Sequence, residues 1–150
     1  MKKLLPSIFS LFFLLITTSL LAQFSIGGGI HYDTGVKRLG FTAKAKYIFN
    51  EESWAASPSY SIYPSEGATI KIIDVDAHYQ VATISVNDIG IYGLAGLGFV
   101  DDVASNKVAL NGGLGVHIPT DNSLNIFGEV KFRVNKLLGT QIGGGVMYEF

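Results

Sequence analysis

The sequence contains no cysteine among its 150 residues. Disulfide bonds, cysteine-ligated zinc, thiol catalysis and a lipid-modified cysteine are therefore excluded. Clear helical periodicity, a low-complexity linker and a block of like charge are also missing, and no apolar stretch after residue 22 is long enough for a transmembrane helix. The 11 Lys and Arg residues nearly balance the 12 Asp and Glu residues. This balance gives no electrostatic argument for nucleic-acid binding.

The first 22 residues have the pattern of a secretory signal peptide. Lys2 and Lys3 form a basic start, residues 4–16 are mostly apolar, and Ala22 is a small residue before the expected cleavage point. An uncleaved membrane anchor is the alternative, but the apolar run is short for a spanning helix, which needs about 20 apolar residues. We therefore predict an exported protein with a signal peptide over residues 1–22 and one domain over residues 23–150.

The rest of the chain predicts short strands of similar length separated by turn residues. Clusters of Gly, Asn, Asp, Ser and Pro divide it into eight apolar-rich segments. The predicted strands are residues 24–33, 38–49, 53–63, 69–83, 89–100, 107–118, 124–134 and 138–150. An even number of strands of about ten residues fits the smallest transmembrane barrel. The predicted fold is all-β: an eight-stranded antiparallel up-and-down transmembrane β-barrel.

Apolar and polar side chains alternate along several predicted strands. In the second strand, Leu39 and Phe41 fall on one face, while Thr42 and Lys44 fall on the other. A soluble barrel turns its apolar face inward, whereas a membrane barrel turns it outward toward lipid. The alternation is compatible with either assignment.

Two features favour the membrane assignment. Aromatic residues fall at one rim if the amino terminus starts on the periplasmic side, as expected for an interfacial girdle. Charges of both signs also lie in mid-strand, where they can pair inside a narrow lumen, and isolated buried charges would be very costly. The predicted girdle consists of Phe24, Tyr47, Phe49, Trp54, Tyr79, Tyr148 and Phe150. The predicted internal polar network consists of Lys44, Lys46, Asp74, Asp76, Glu129, Lys131 and Arg133.

The chain ends with an aromatic residue on a predicted strand. Val146, Tyr148 and Phe150 alternate along it, so they share one face. We interpret these three residues as a C-terminal assembly signal for the barrel-assembly machinery of a Gram-negative outer membrane. An edge strand of a soluble β protein is the alternative.

Four segments resemble the small outer membrane β-barrel proteins of the OmpA/OmpX-like group. They are residues 41–47 (FTAKAKY), 92–98 (YGLAGLG), 110–116 (LNGGLGV) and 126–132 (IFGEVKF). The resemblance implies an eight-stranded barrel in the outer membrane with both ends in the periplasm. The predicted outward connections, near residues 34–37, 64–68, 101–106 and 135–136, are short. Their length argues against an adhesive or receptor role carried by long protruding loops.

The sequence predicts no catalytic, cofactor-binding or metal site. The glycine clusters lack the Lys-Ser/Thr of a phosphate-binding loop. His31, His78 and His117 are all expected on the inward face. His78 and His117 are expected to lie two strands apart, at roughly 10 Å, which is too far for them to share a zinc ion. Asp74 and Asp76 share a face and could act as an acid/base pair. A structural ion network is the better interpretation, because four cations are available as partners: Lys44, Lys46, Lys131 and Arg133.

These observations predict a non-enzymatic integral outer membrane protein with a structural or surface-interaction role. Side chains should largely fill the lumen of an eight-stranded barrel, so we expect no wide pore. The expected partners are outer membrane lipid and, during biogenesis, the barrel-assembly machinery and periplasmic chaperones, and the protein is expected to be a monomer. One alternative is a soluble exported lipocalin-like barrel that binds a small hydrophobic ligand. Another is an enzyme acting on envelope lipid or glycan.

Overall fold

The computed structural model describes residues 24–49, 53–64, 69–84, 88–102, 105–120, 123–134 and 139–150. The predicted signal peptide and parts of six connections lie outside these ranges. Within them, the strands are β1 (Phe24–Asp33), β2 (Arg38–Ile48), β3 (Trp54–Tyr63), β4 (Ile70–Ile84), β5 (Ile89–Asp102), β6 (Ser105–Pro119), β7 (Leu124–Val134) and β8 (Gly139–Glu149). No helix in these ranges is long and apolar enough to cross a membrane.

Each strand pairs antiparallel with the next along the chain, and β8 pairs with β1 to close the barrel. The predicted eight-stranded antiparallel up-and-down barrel is confirmed. The predicted bounds of β1 and β7 are also confirmed, but β5 and β6 continue past their predicted ends, through the pairs Asp101↔Asn106 and Asp102↔Ser105. Cross-strand hydrogen bonding there outweighs the low intrinsic strand preference of Asp and Asn.

The barrel is apolar outside and polar inside. Leu39, Phe41 and Leu114 point outward and are 64%, 61% and 62% exposed, whereas the carboxyl side chains of Asp74 and Asp76 point inward and are buried. A lipocalin-like barrel needs the opposite arrangement, with its apolar faces around a ligand. The structure therefore makes the membrane-type assignment that alternation alone left open, and it contradicts the lipocalin-like alternative.

Pro58 interrupts the ladder between β2 and β3. Residues 44–47 and 56–59 face each other, but the two central cross-strand pairs are absent. Proline has no N–H to donate, and the hydroxyl of Ser57 donates instead to the carbonyl oxygen of Ala45 at 3.1 Å. The buried side chain of Ser57 thus supplies a hydrogen-bond donor next to Pro58, which has no backbone N–H.

The two ends of the barrel differ. We call the end that carries Phe24 and Phe150 the terminal end, and the opposite end the far end. At the far end, an apolar cluster of Tyr63, Ile72 and Val100 fills the lumen and is almost fully buried. Lys37, in the far-end turn after β1, has a positive φ of 56°. The polar interior described next borders this cluster and extends from it toward the terminal end.

Candidate functional site in the barrel interior

The charged residues of β4 and β7 meet inside the barrel because each set occupies alternate positions of its strand. Asp74 and Asp76 project from β4, and Glu129, Lys131 and Arg133 project from β7. These strands are not neighbours in the sheet, since β5 and β6 lie between them. The contacts therefore cross the lumen, so the ion pairs connect parts of the barrel wall that are not adjacent in the sheet.

Asp74 is the centre of the larger group of ion pairs. Its Oδ2 atom lies 2.8 Å from Arg133 Nη2 and 3.3 Å from Lys131 Nζ. Lys131 Nζ also lies 2.5 Å from Asp76 Oδ2, and Arg133 Nη1 forms an ion pair with Asp33 of β1. The result is a continuous chain of alternating charges across three strands.

Neutral side chains add hydrogen bonds to this group, although Asn111 Oδ1 and Arg133 Nε are buried without a hydrogen-bond partner among the described residues. Asn111 Nδ2 donates to the Oδ1 atoms of Asp74 and Asp76, at 2.9 Å each. Arg133 Nη2 donates to Gln141 Oε1 at 3.3 Å, and Gln141 Nε2 donates to the Tyr63 hydroxyl at 3.0 Å. Removing charges from water is costly, and the cost is offset only when partners satisfy the remaining lone pairs and protons. Here each aspartate has at least two donors.

A second group lies closer to the terminal end. Glu129 forms an ion pair with Lys44 of β2 and accepts a hydrogen bond from the Tyr92 hydroxyl at 2.7 Å. His78 stacks on the Tyr92 ring with centroids 4.7 Å apart, and its Nε2 atom lies 4.0 Å from Glu129 Oε1. This group joins β2, β4, β5 and β7.

Six of the seven residues predicted for the internal network occur in these ion pairs; Lys46 does not. In the part of the chain that the structure describes, Lys46 has no salt bridge, and its Nζ atom lies 5.9 Å from the centroid of the Tyr92 ring. Sequence reasoning missed several network members: Asp33, Tyr63, Tyr92, Asn111 and Gln141. The sequence could have indicated them. Each missed residue lies an even number of positions from an inward-facing residue of its own strand, so it shares the inward face.

The residues of the predicted girdle lie together at the terminal end. Trp54 and Tyr79 have ring centroids 4.8 Å apart, and Phe24 lies 6.2 Å from Phe150. Edge-to-face contacts at 5.1 Å join Tyr47 to Phe49 and Tyr148 to Phe150. The three residues of the predicted assembly signal, Val146, Tyr148 and Phe150, are exposed on the outside of the barrel.

The histidines are divided between the two ends of the barrel. His31 packs against Tyr63 near the far end, with centroids 5.2 Å apart, while His78 and His117 line a cavity at the terminal end. Within the described ranges, no group of three or more His, Asp or Glu residues is arranged to hold a metal ion.

The free space in the lumen is small and divided. A cavity of about 20 Å³ lies at mid-height, and a larger one of about 80 Å³ lies at the terminal end. Lys44 and Phe127 line both and separate them. A single water needs about 10–15 Å³, so the mid-height cavity has room for one or two waters.

No protein-family model matches the sequence, and no curated protein sequence matches it. Solved structures do match the fold. The N-terminal β-barrel domain of Pseudomonas aeruginosa OprF aligns with a TM-score of 0.68 at 16% identity, covering 88% of this chain and 100% of that domain. The Yersinia pestis outer membrane protein Ail aligns with a TM-score of 0.57 at 18% identity, covering 86% of this chain and 99% of Ail.

The outer membrane enzyme PagL also shares the fold, with a TM-score of 0.50 at 10% identity over 84% of this chain and 98% of PagL. The fold alone therefore does not decide between enzymes and other proteins. The likeness in sequence is low, but the likeness in architecture covers most of the chain. The resemblance noted in the sequence is confirmed at the level of architecture: the chain has the fold of the small eight-stranded outer membrane β-barrels.

Proposed function

We propose that the protein is an integral outer membrane barrel that supports the envelope and catalyses no reaction. The observation that carries this proposal is the apolar outer wall around a charged, tightly paired interior. Exposed apolar side chains surround the barrel, including Ile73, Val75 and Phe132 at about half exposure each. Such a surface would drive aggregation in water, but it suits hydrocarbon.

The positions of the chain ends support an orientation. Phe24 and Phe150 both lie at the terminal end, and the small outer membrane barrels that the sequence resembles have both ends in the periplasm. Trp54 packs on Tyr79 at the same end, as expected for residues at a membrane–water interface. We propose that this end faces the periplasm and that the far end faces outward. The outer membrane lipid is then the permanent partner. The barrel-assembly machinery and periplasmic chaperones are partners during biogenesis, and the barrel works as a monomer.

The absence of a catalytic arrangement supports a non-enzymatic role. None of the hydrogen bonds in the described ranges joins a histidine to a serine, so a Ser-His-acid triad is not formed there. The acidic pair Asp74 and Asp76 is buried and is bound by Lys131, Arg133 and Asn111. These contacts favour a structural role for the two carboxylates over proton exchange with a substrate.

The first test is the location and heat-modifiability of the full-length chain in a Gram-negative host. We expect it in the detergent-extracted outer membrane fraction, with a different gel mobility before and after boiling, because a closed barrel resists SDS until heated. A matched variant, Phe150→Ser, should reduce the folded fraction if the terminal aromatic residue guides assembly. Recovery of the wild-type chain in the soluble periplasm, with no boiling-dependent shift, would contradict the membrane assignment.

The second test is conductance in planar lipid bilayers. The ion pairs and the far-end apolar cluster block the lumen, so we expect no stable open channel from the refolded protein. A variant in which Lys44 and Glu129 are both replaced by Ala should raise the frequency of small openings. A large, steady conductance from the wild-type barrel would show that the lumen is not filled.

A further inference from the structure

The terminal end of the lumen holds a cavity that the paired charges do not fill. Its volume is about 80 Å³, and Lys46, His78, Tyr92, His117 and Glu149 are among the residues that line it. At about 10–15 Å³ per water, this is room for roughly five to eight waters, or for one compact tetrahedral anion. His117 and Glu149 are partly exposed, so the cavity opens to solvent at this end.

Lys46 gives the cavity a cation with no ion-pair partner among the described residues. The Nζ atom of Lys46 lies over the Tyr92 ring, 5.9 Å from the ring centroid. Lys44 also lines the cavity, but Glu129 neutralises it. A partly buried ammonium group that is not paired gains from an anion placed beside it.

His78 adds a buried imidazole with unused hydrogen-bonding capacity. The residue is 3% exposed, it lines the cavity, and neither ring nitrogen has a hydrogen-bond partner among the described residues. A neutral imidazole offers one N–H donor, and buried polar groups in folded proteins are rarely left unpaired. His117 lines the same cavity from β6.

The carboxylates near the cavity both have hydrogen-bond donors. Glu129 has Lys44 and the Tyr92 hydroxyl. Glu149 accepts a hydrogen bond from Asn125 Nδ2 at 2.8 Å and keeps its negative charge, so an anion would bind away from it, beside Lys46 and His78. Among the described residues, the groups of this cavity that keep a donor available are the ammonium of Lys46 and the imidazole of His78, and His117 can add a second imidazole N–H. Such a set is complementary to a small oxyanion.

We propose that this cavity is a binding site for a small oxyanion, of which phosphate is the probe. One part of this proposal rests on the function proposed above: that the anion reaches the cavity from the periplasm. The binding itself depends on the lumen alone, and it can be measured in detergent whether or not the orientation is correct.

The test uses the refolded barrel in a non-ionic detergent and inorganic phosphate, with sodium chloride at matched ionic strength as the reference. We expect backbone amide resonances of Lys46, Tyr92 and His117 to shift saturably with phosphate, while that of Lys71 at the far end stays in place. The absence of a saturable shift, or equal shifts with chloride, would overturn the proposal.

Variants identify the groups that bind. Lys46→Met keeps the apolar stem and removes the charge, and we expect it to weaken phosphate binding at least tenfold. His78→Phe keeps a ring on Tyr92 and removes both nitrogens, and it should also weaken binding. Lys71→Met removes one positive charge from an exposed position and should leave affinity unchanged. Wild-type affinity in folded Lys46→Met and His78→Phe barrels would reject the site.

A final comparison separates two sources of the same chemistry. The titration is repeated in nanodiscs that contain phosphatidylglycerol. A phosphate affinity equal to that in detergent would assign the site to a soluble oxyanion. Competition by the lipid, seen as a weaker response to phosphate, would assign it to a lipid headgroup reaching into the mouth of the barrel.

Discussion

Replacing Asp74 with asparagine is expected to lower the free energy of unfolding by about 3–5 kcal/mol, the usual cost of removing one partner from a buried ion pair. The Asp74 side chain is fully buried and faces both Arg133 and Lys131. Asparagine has nearly the same shape but carries no charge, so the two cations would keep their burial and lose part of their compensation. Asp76 contacts only Lys131 among the cations, and Asp76→Asn should cost less.

Urea unfolding of the refolded barrel, followed by tryptophan fluorescence from Trp54, measures this loss. The matched control is Asp101→Asn, which removes the same charge from an exposed position of β5. It should change stability by less than about 0.5 kcal/mol. Similar stabilities for Asp74→Asn, Asp101→Asn and the wild type would show that the ion network contributes nothing to stability.

Replacing Gly145 with alanine is expected to disrupt the closure of the barrel. Gly145 of β8 faces Gly29 of β1 on the inner side of the wall. A Cβ atom at this position would lie 2.5 Å from the Gly29 Cα atom and against the carbonyl group of Gly28. These are backbone atoms of a paired strand, so they cannot rotate away, and the strands themselves would have to separate. We expect a loss of about 3 kcal/mol, at the upper end of ordinary overpacking.

Gly112→Ala is the matched control, because a Cβ atom there meets nothing within 4 Å. It should be neutral or slightly stabilising, since Ala in a strand loses less conformational entropy on folding than Gly, by roughly 0.5–1 kcal/mol. The readout is the fraction of protein with the mobility of the unboiled, folded form on SDS gels, together with the urea midpoint. Equal folded fractions for both variants would show that the β1–β8 contact tolerates a side chain.

Much of this barrel follows from local sequence. Turn residues and period-two alternation were enough to predict eight strands, since the alternation is clear in β2, β4 and β7 and the turns between strands are short. The aromatic residues of the terminal rim were also predictable, because they lie at strand ends that antiparallel order brings together. The charged residues of β4 and β7 could also be predicted to face the lumen, because they alternate with apolar residues along their strands.

The pairing inside the lumen was not predictable. Whether Arg133 meets Asp33, and whether Lys46 meets any carboxylate, depends on the stagger between strands and on the tilt across the barrel. Neither quantity is encoded in the alternation of a single strand. The apolar and polar faces could be recognised, but which face points inward depends on the solvent around the barrel.

The pairing of β1 with β8 has a consequence for the time course of folding. Every other seam joins strands that are neighbours in sequence, whereas Gly29 finds its partner at Gly145, more than a hundred residues along the chain. The entropy of bringing such distant segments together is lost before the contact stabilises anything, and pairings of this kind slow folding. Until β8 arrives, the incomplete sheet has two unpaired edges that can recruit other chains. The rate of this last step, rather than the stability of the finished barrel, therefore sets how long the chain is vulnerable to aggregation.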